Sequence, residues 1–135
     1  MQLSYLVLAL AGTAAAQPDC TRADYHRPGS TAIYMPFRGS SIECELGIDN
    51  NSNGVKALQE QINLCYGRYL DAKLVVDGDF GSKTREGVRE VQRRSGARVD
   101  GRYGPETRGK MNWGVYFNGN PNDVVCRTLE RWKSS

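Results

Sequence analysis

Residues 76–88 read VDGDFGSKTREGV, and residues 99–111 read VDGRYGPETRGKM. Val, Asp, Gly, Gly, Thr and Arg coincide between the two stretches, and Phe80 is matched by Tyr103. A repeated unit is read as a unit before its residues are taken singly. Asp77-Gly78 and Asp100-Gly101 read as tight turns, because glycine tolerates the positive φ that such turns demand. The aromatic residue that follows is placed to drop a ring into a core. Gly81 or Gly104 then leads into a helix whose first turn holds Thr84 or Thr107. Turn, aromatic anchor and helix start are therefore used twice.

The flanking sequence supplies the helices. Thr84, Val88, Val91 and Ser95 line one face of a helix over about 82–95, and Gly96 suits its C-terminal stop. Pro105 suits the first position of a shorter helix over about 105–112, where its missing N–H costs nothing. Upstream, DNNSNG at 49–54 signals a loop and a helix start. Val55, Leu58, Ile62 and Cys65 then share one face of a helix over about 55–66, with Lys56, Gln59, Glu60 and Asn63 on the other side.

Outside these helices the chain shows no sustained period. Residues 17–48 are rich in Gly, Pro, Ser and Arg, with a short extended piece expected at 31–35. After Trp113 the stretch NGNPND is irregular, and a short helix is expected around 124–132. The expected fold is all-α: a small three-helix bundle with disulfide-tethered irregular N- and C-terminal arms. The expected divisions are a leader at 1–16, an arm at 17–53, the bundle at 54–112 and a second arm at 113–135.

The set VKALQEQINLCYG, VDGDFGSKTREGVREVQRRSG and VDGRYGPETRGKM resembles the peptidoglycan-binding-like domain family, a three-helix module with a duplicated DGxFGxxT element. The match rests on Val55, Leu58, Gln59 and Asn63, then Asp77, Gly78, Phe80, Gly81 and Thr84. Val88, Gln92 and Gly96 follow, and Asp100, Gly101, Gly104, Pro105 and Thr107 complete it. It covers about residues 54–112. Three positions depart from the family pattern. Ile62 replaces a leucine. Val91 replaces a Phe, so the core is expected to repack around Tyr66, Tyr69 or Trp113. Arg108 stands where a Trp is frequent, which exchanges a stacking ring for a cation.

The resemblance implies non-covalent binding to cell-wall peptidoglycan. The residues add a mechanism. From Lys83 to Lys110 there are nine basic side chains against four acids, and peptidoglycan stem peptides present carboxylates. Helix N-termini at Ser82 and Pro105 offer free N–H groups and a positive dipole end. Arg85 and Arg108, at equivalent repeat positions, are candidates for bidentate carboxylate pairing. Tyr66, Tyr69, Tyr103 and Trp113 are candidate apolar faces for sugar rings. A plainer reading stands beside this one: arginines as a solvated helix face, Phe80 and Tyr103 as core, Asp77 and Asp100 as turn formers.

Composition bounds the rest. The chain has 135 residues, 39% apolar and 24% charged, which fits one soluble globular domain with arms. A formal net charge of +3 is too small for a dedicated nucleic-acid binder. His26 is the sole histidine, and no Ser–His–Asp or Cys–His constellation is present, so no catalytic site is assigned. Residues 1–16, MQLSYLVLALAGTAAA, read as a signal peptide: the apolar run is shorter than the roughly 20 residues a bilayer needs, and Ala14-Ala15-Ala16 fits a cleavage site. An even count of four cysteines in a short exported chain implies two disulfides. Three pairings are possible, with Cys44–Cys65 and Cys20–Cys126 preferred. Asp49, Asn51, Asn53, Gly54 and Glu60 satisfy an EF-hand loop pattern. Lys56 at a usually apolar position and a poor incoming helix argue against it, and capping by Ser52 or Asn53 explains the same residues. Asn50-Asn51-Ser52 is also a glycosylation sequon. The expectation is a secreted, monomeric, non-catalytic peptidoglycan-binding module without metal, cofactor, nucleic-acid or membrane partner. Its rivals are a structural or effector protein that binds another protein or a polysaccharide such as chitin, and a small hydrolase with its site in the arms.

Overall fold

The computed structural model describes residues 16–27, 29–118 and 120–129; the expected leader at 1–16 lies outside them except for Ala16. Three helices form where the periodicity places them. Helix α1 spans Asn53–Tyr66 and is capped by Ser52, whose hydroxyl accepts from the Val55 N–H at 3.3 Å. A 3-10 turn, Gly67–Tyr69, follows it. Helix α2 spans Ser82–Ser95 and ends on Gly96 in the left-handed conformation, at φ 78°. Helix α3 spans Pro105–Lys110, stopping short of Asn112, with Pro105 in its first turn.

The arms overturn the all-α expectation. Strands β1 (Arg22–His26), β2 (Thr31–Phe37), β3 (Trp113–Phe117) and β4 (Val124–Arg127) form one antiparallel sheet in the order β1-β2-β3-β4. The fold is mixed α/β. The helical module is inserted between β2 and β3, so the two arms pair with one another across it. Ile33 faces Val115, and Thr31 faces Phe117. The expected extended piece at 31–35 is the start of β2. The helix expected around 124–132 is instead β4 over its first four residues, and residues from 130 onward lie outside the described ones.

One reason for the miss is in TAIYMPF itself. Six of its seven residues are buried, on both faces of the sheet, so the polar alternation of a half-buried strand is absent. The other is that its partner lies far along the chain, and sequence periodicity carries no information about long-range pairing.

The core sits between sheet and helices. Ile33, Met35, Trp113 and Val115 come from the strands, Val55, Leu58 and Ile62 from α1, and Val88 and Val91 from α2. Val91, Tyr66 and Trp113 all belong to this core cluster. Trp113 meets Tyr103 edge-on at 6.0 Å between centroids and donates its indole N–H to the Arg108 carbonyl at 2.9 Å. The Tyr66 hydroxyl accepts the Asn112 N–H at 2.9 Å. Tyr69 stays at the surface, 36% exposed.

The disulfides are Cys20–Cys44 and Cys65–Cys126, so both preferred pairings are corrected. Cys20 and Cys44 lie on neighbouring segments held together when the Cys20 N–H donates to the Glu45 carbonyl at 2.9 Å. Cys65, near the end of α1, is tied to β4. The N-terminal arm is therefore closed on itself, and the C-terminal arm is fastened to the helical module. The bridges close separations of 24 and 61 residues. In the chain-entropy view they contribute about 3 and about 4 kcal/mol.

Candidate functional site

Each copy of the repeat folds into the same corner, built around a buried glutamine. Gln59 of α1 donates through Nε2 to Asp77 Oδ1 (3.1 Å), the Asp79 carbonyl (3.0 Å) and the Thr84 hydroxyl (3.0 Å). Its Oε1 accepts the N–H groups of Asp77 (3.1 Å) and Gly78 (3.0 Å). Gln92 of α2 donates to Asp100 Oδ1 (2.8 Å), the Arg102 carbonyl (2.9 Å) and the Thr107 hydroxyl (3.0 Å). Its Oε1 accepts from Asp100 (3.0 Å) and Gly101 (2.9 Å). The bonds correspond one for one.

The shared residues now have physical roles. Asp77 and Asp100 each accept the N–H two residues on at 2.9 Å, closing the turn. Gly78 and Gly101 sit at φ 80° and 75°, where a side chain is strained. Phe80 and Tyr103 are both buried, at 2% and 0% exposure. The segment 46–50 stitches the two corners together. Leu46 and Tyr103 exchange backbone bonds at 2.8 and 2.9 Å, while Asp49 donates to the Phe80 carbonyl and Phe80 to the Asn50 carbonyl, both at 2.9 Å.

The corners differ in what covers them. The N-terminal arm lies over the second. Arg108 is 5% exposed, and its guanidinium donates to the Cys44 carbonyl at 3.2 Å and to Glu43 at 3.1 Å. Arg102 reaches Glu45 at 3.3 Å. The first corner is open. Beside it lies a cleft of about 920 Å³ between the 69–77 segment and α2, lined by Tyr69, Leu74, Asp77, Lys83, Glu86 and Arg93 among others. Asn63 holds the cleft's outer wall, donating to the Leu74 carbonyl at 2.8 Å and accepting its N–H at 2.7 Å. A Cβ on Gly87 would stand 3.0 Å from Leu74 Cδ1, so the lack of a side chain lets that wall approach α2.

The N-terminus of α2 opens into this cleft. Gly81 caps it without a side chain, and the Ser82, Lys83 and Thr84 N–H groups have no acceptor among the described residues. Lys83, in the first turn of α2, also lines the cleft. The Asp77 carboxyl is held below its ordinary range, chiefly by the Asp79 N–H and then by the Gln59 amide. It is a committed acceptor rather than a proton donor.

Of the six residues expected to contact ligand, only Tyr69 lines this cleft. The Arg94 guanidinium lies 4.0 Å from its ring centroid. Arg85 is exposed, but its stem lies against Gly101 at the other corner. Tyr66, Tyr103, Arg108 and Trp113 are all buried, between 0% and 5% exposed, and have no ring face or free cation to offer. Burial raises the pKa of the Tyr103 phenol far above its usual value. Leu74 and Lys83 were not singled out from the sequence. Lys83 carried a legible signal, as a cation in the first turn of an uncapped helix. Leu74 carried none, because its position depends on Asn63 across eleven residues.

The calcium pattern does not assemble. Asn51 donates to Asp79, Ser52 caps α1, and Glu60 points instead into a groove beside the sheet. In the sequon, the Asn50 side chain accepts the Gly47 N–H at 2.7 Å and donates to Asp19 at 3.4 Å, so its amide is engaged in the fold.

The paired glutamine-centred corners belong to the region that a family comparison identifies. Residues 51–111 match the model described as "Putative peptidoglycan binding domain". The similarity is to that family and covers 61 of the 135 residues. The matched region is thus framed by a sheet and two disulfides that lie almost wholly outside it. No curated protein shows significant similarity to the chain.

Proposed function

We propose that the protein is a secreted, non-catalytic module that binds peptidoglycan through the cleft at the first corner. The family supports a cell-wall glycan partner. The observation that carries the finer reading is the open cleft: an apolar wall at Leu74 and Tyr69, uncapped N–H groups at the start of α2, and Lys83 in the lining. A stem-peptide carboxylate at those N–H groups would gain directed hydrogen bonds, the helix dipole and the lysine charge. The sugar backbone would lie along Tyr69 and Leu74. Two disulfides and a leader-like N-terminus support export. The engagement of Asp77 within the corner supports binding without general acid chemistry at that carboxyl.

The test is co-sedimentation with purified insoluble peptidoglycan at low salt. Tyr69→Ala combined with Lys83→Glu is expected to lower the bound fraction at least fivefold at unchanged melting temperature. Full retention by this double variant would refute the cleft assignment. Clearing of wall suspensions by the wild-type protein would refute the non-catalytic reading.

A further inference from the structure

A second groove lies away from both corners. It is about 360 Å³ and is lined by Tyr25, Tyr34, Tyr116, Glu60, Gln61 and Leu64. Its three tyrosines come from three adjacent strands, and register puts them on one face. Tyr25 is paired with Tyr34, Ala32 with Tyr116, and Ala32 and Tyr34 are two apart on β2. Residues two apart share a face of a strand. The opposite face carries Ile33, Met35 and Val115, all fully buried, so the tyrosines are not needed to build that side of the core. Yet Tyr34 and Tyr116 are only partly exposed, and Tyr25 is 43% exposed.

The groove is also polar in a specific way. Glu60 projects into it from α1 and has no hydrogen bond or ion pair among the described residues. Neither do the three tyrosine hydroxyls. The Tyr25 and Tyr34 rings stand 5.1 Å apart at 50°, forming an angled wall. Burial raises the phenol pKa values of Tyr34 and Tyr116, and the Glu60 charge adds to both, which places that carboxylate within electrostatic reach of each ring. Gln61 is committed elsewhere: it donates to the Tyr34 carbonyl at 2.8 Å and accepts the Gly114 N–H at 2.8 Å. It fixes α1 against the sheet, on the side of the helix that brings Glu60 to the groove.

We propose that this groove is a sugar subsite for a pyranose bearing a protonated amine, a glucosamine unit of an N-deacetylated glycan. Tyrosine faces take the apolar C–H side of a sugar ring. Their negative quadrupole also attracts a cation within about 6 Å of the centroid. Arg27 already lies 4.9 Å from the outer ring of Tyr25, away from the groove lining, so that ring accepts a cation in the fold itself. Glu60 supplies the unpaired charge that an ammonium complements and an uncharged acetamide does not. The volume falls at the small end of the roughly 300–1,000 Å³ typical of small-ligand sites, which suits a sugar unit rather than a protein surface. The site uses none of the residues of the first-corner cleft and does not rest on that reading.

The test is isothermal titration of the full disulfide-bonded protein with a glucosamine tetrasaccharide and with its N-acetylated counterpart. The glucosamine chain is expected to bind at least tenfold more tightly. Glu60→Gln, at an exposed helix position, is expected to remove most of that preference at unchanged melting temperature. Tyr25→Ala is expected to weaken the glucosamine chain about tenfold, while retention on peptidoglycan stays at the wild-type level. Equal affinity for the two chains, no binding of either, or a Glu60→Gln variant that keeps the preference would overturn the proposal. So would competition by a simple alkyl ammonium as effective as the sugar, since that would show a site for the charge alone.

Discussion

The two corners of the repeat are alike inside and unlike outside. Both are organised by one buried glutamine that satisfies two turn N–H groups, a carbonyl, a threonine hydroxyl and an aspartate oxygen. Outside, the first corner faces an open cleft, whereas the arm from Glu43 to Gly47 covers the second. Arg85 and Arg108 occupy the same repeat position, yet one is exposed and the other is buried under a disulfide-bonded segment. Duplication copied the frame. What became of each copy was decided by the chain that packed on it.

The most drastic way to break the comparison is to remove a glutamine. Gln59→Leu and Gln92→Leu each strand several buried polar groups, at about 1–3 kcal/mol per group left unpaired. Each is expected to cost at least about 3 kcal/mol by denaturant titration, with the two within about 1 kcal/mol of each other. A large cost at one site alone would show that the corners are not equivalent inside.

The arginine pair tests the outside. Arg108→Ala removes charge-assisted bonds to Cys44 and Glu43. Because Glu43 is itself well exposed, no buried charge is left behind, and about 2–3 kcal/mol is expected. Arg85→Ala is expected to stay within about 0.5 kcal/mol, as for ordinary surface positions. Similar costs for both would mean that the arm does not seal the second corner.

The turn glycines sharpen the same contrast. Both substitutions to alanine meet the positive-φ penalty of about 1–2 kcal/mol. At Gly78 the new Cβ would also stand 3.0 Å from the Ser52 carbonyl, a backbone atom, whereas at Gly101 it would meet the flexible Arg85 stem at 2.8 Å. Gly78→Ala is therefore expected to lower the melting temperature more than Gly101→Ala.

The smallest expected effect is in the acid limb of stability. The Asp77 pKa is lowered in the folded state, so its contribution is present above the unfolded carboxylate range near about 3.9 and is lost as pH falls through the folded value. Asp77→Asn keeps an acceptor oxygen in the turn. It is expected to flatten melting temperature against pH below about pH 4, and to lower it slightly at pH 7 by the contribution that the wild type loses only in acid.

Legibility followed distance along the chain. All three helices, the glycine stop at Gly96 and the equivalence of the corners came from local periodicity and from the repeat. The cysteine pairings and the sheet did not: Cys20 meets Cys44 through the path of the aperiodic N-terminal arm, while Cys65 meets Cys126, and Ile33 meets Val115, across long stretches of chain. The ligand-facing aromatics were misread for a related reason. Tyr103 and Trp113 looked like platforms because aromatic residues serve both roles, and only packing reveals that they meet edge-on inside the core, both fully buried. Tyr69, on a short turn after α1, was the one expected contact that remained at the cleft.

The central claim is that the open first corner meets the wall while the sealed second corner serves only the frame. Amide chemical-shift mapping with a soluble muropeptide addresses it directly. The account requires the largest shifts at Tyr69, Leu74, Lys83 and Gly87, with Arg102 and Arg108 unmoved. Shifts concentrated at 43–47 and 102–108, with the cleft silent, would contradict it.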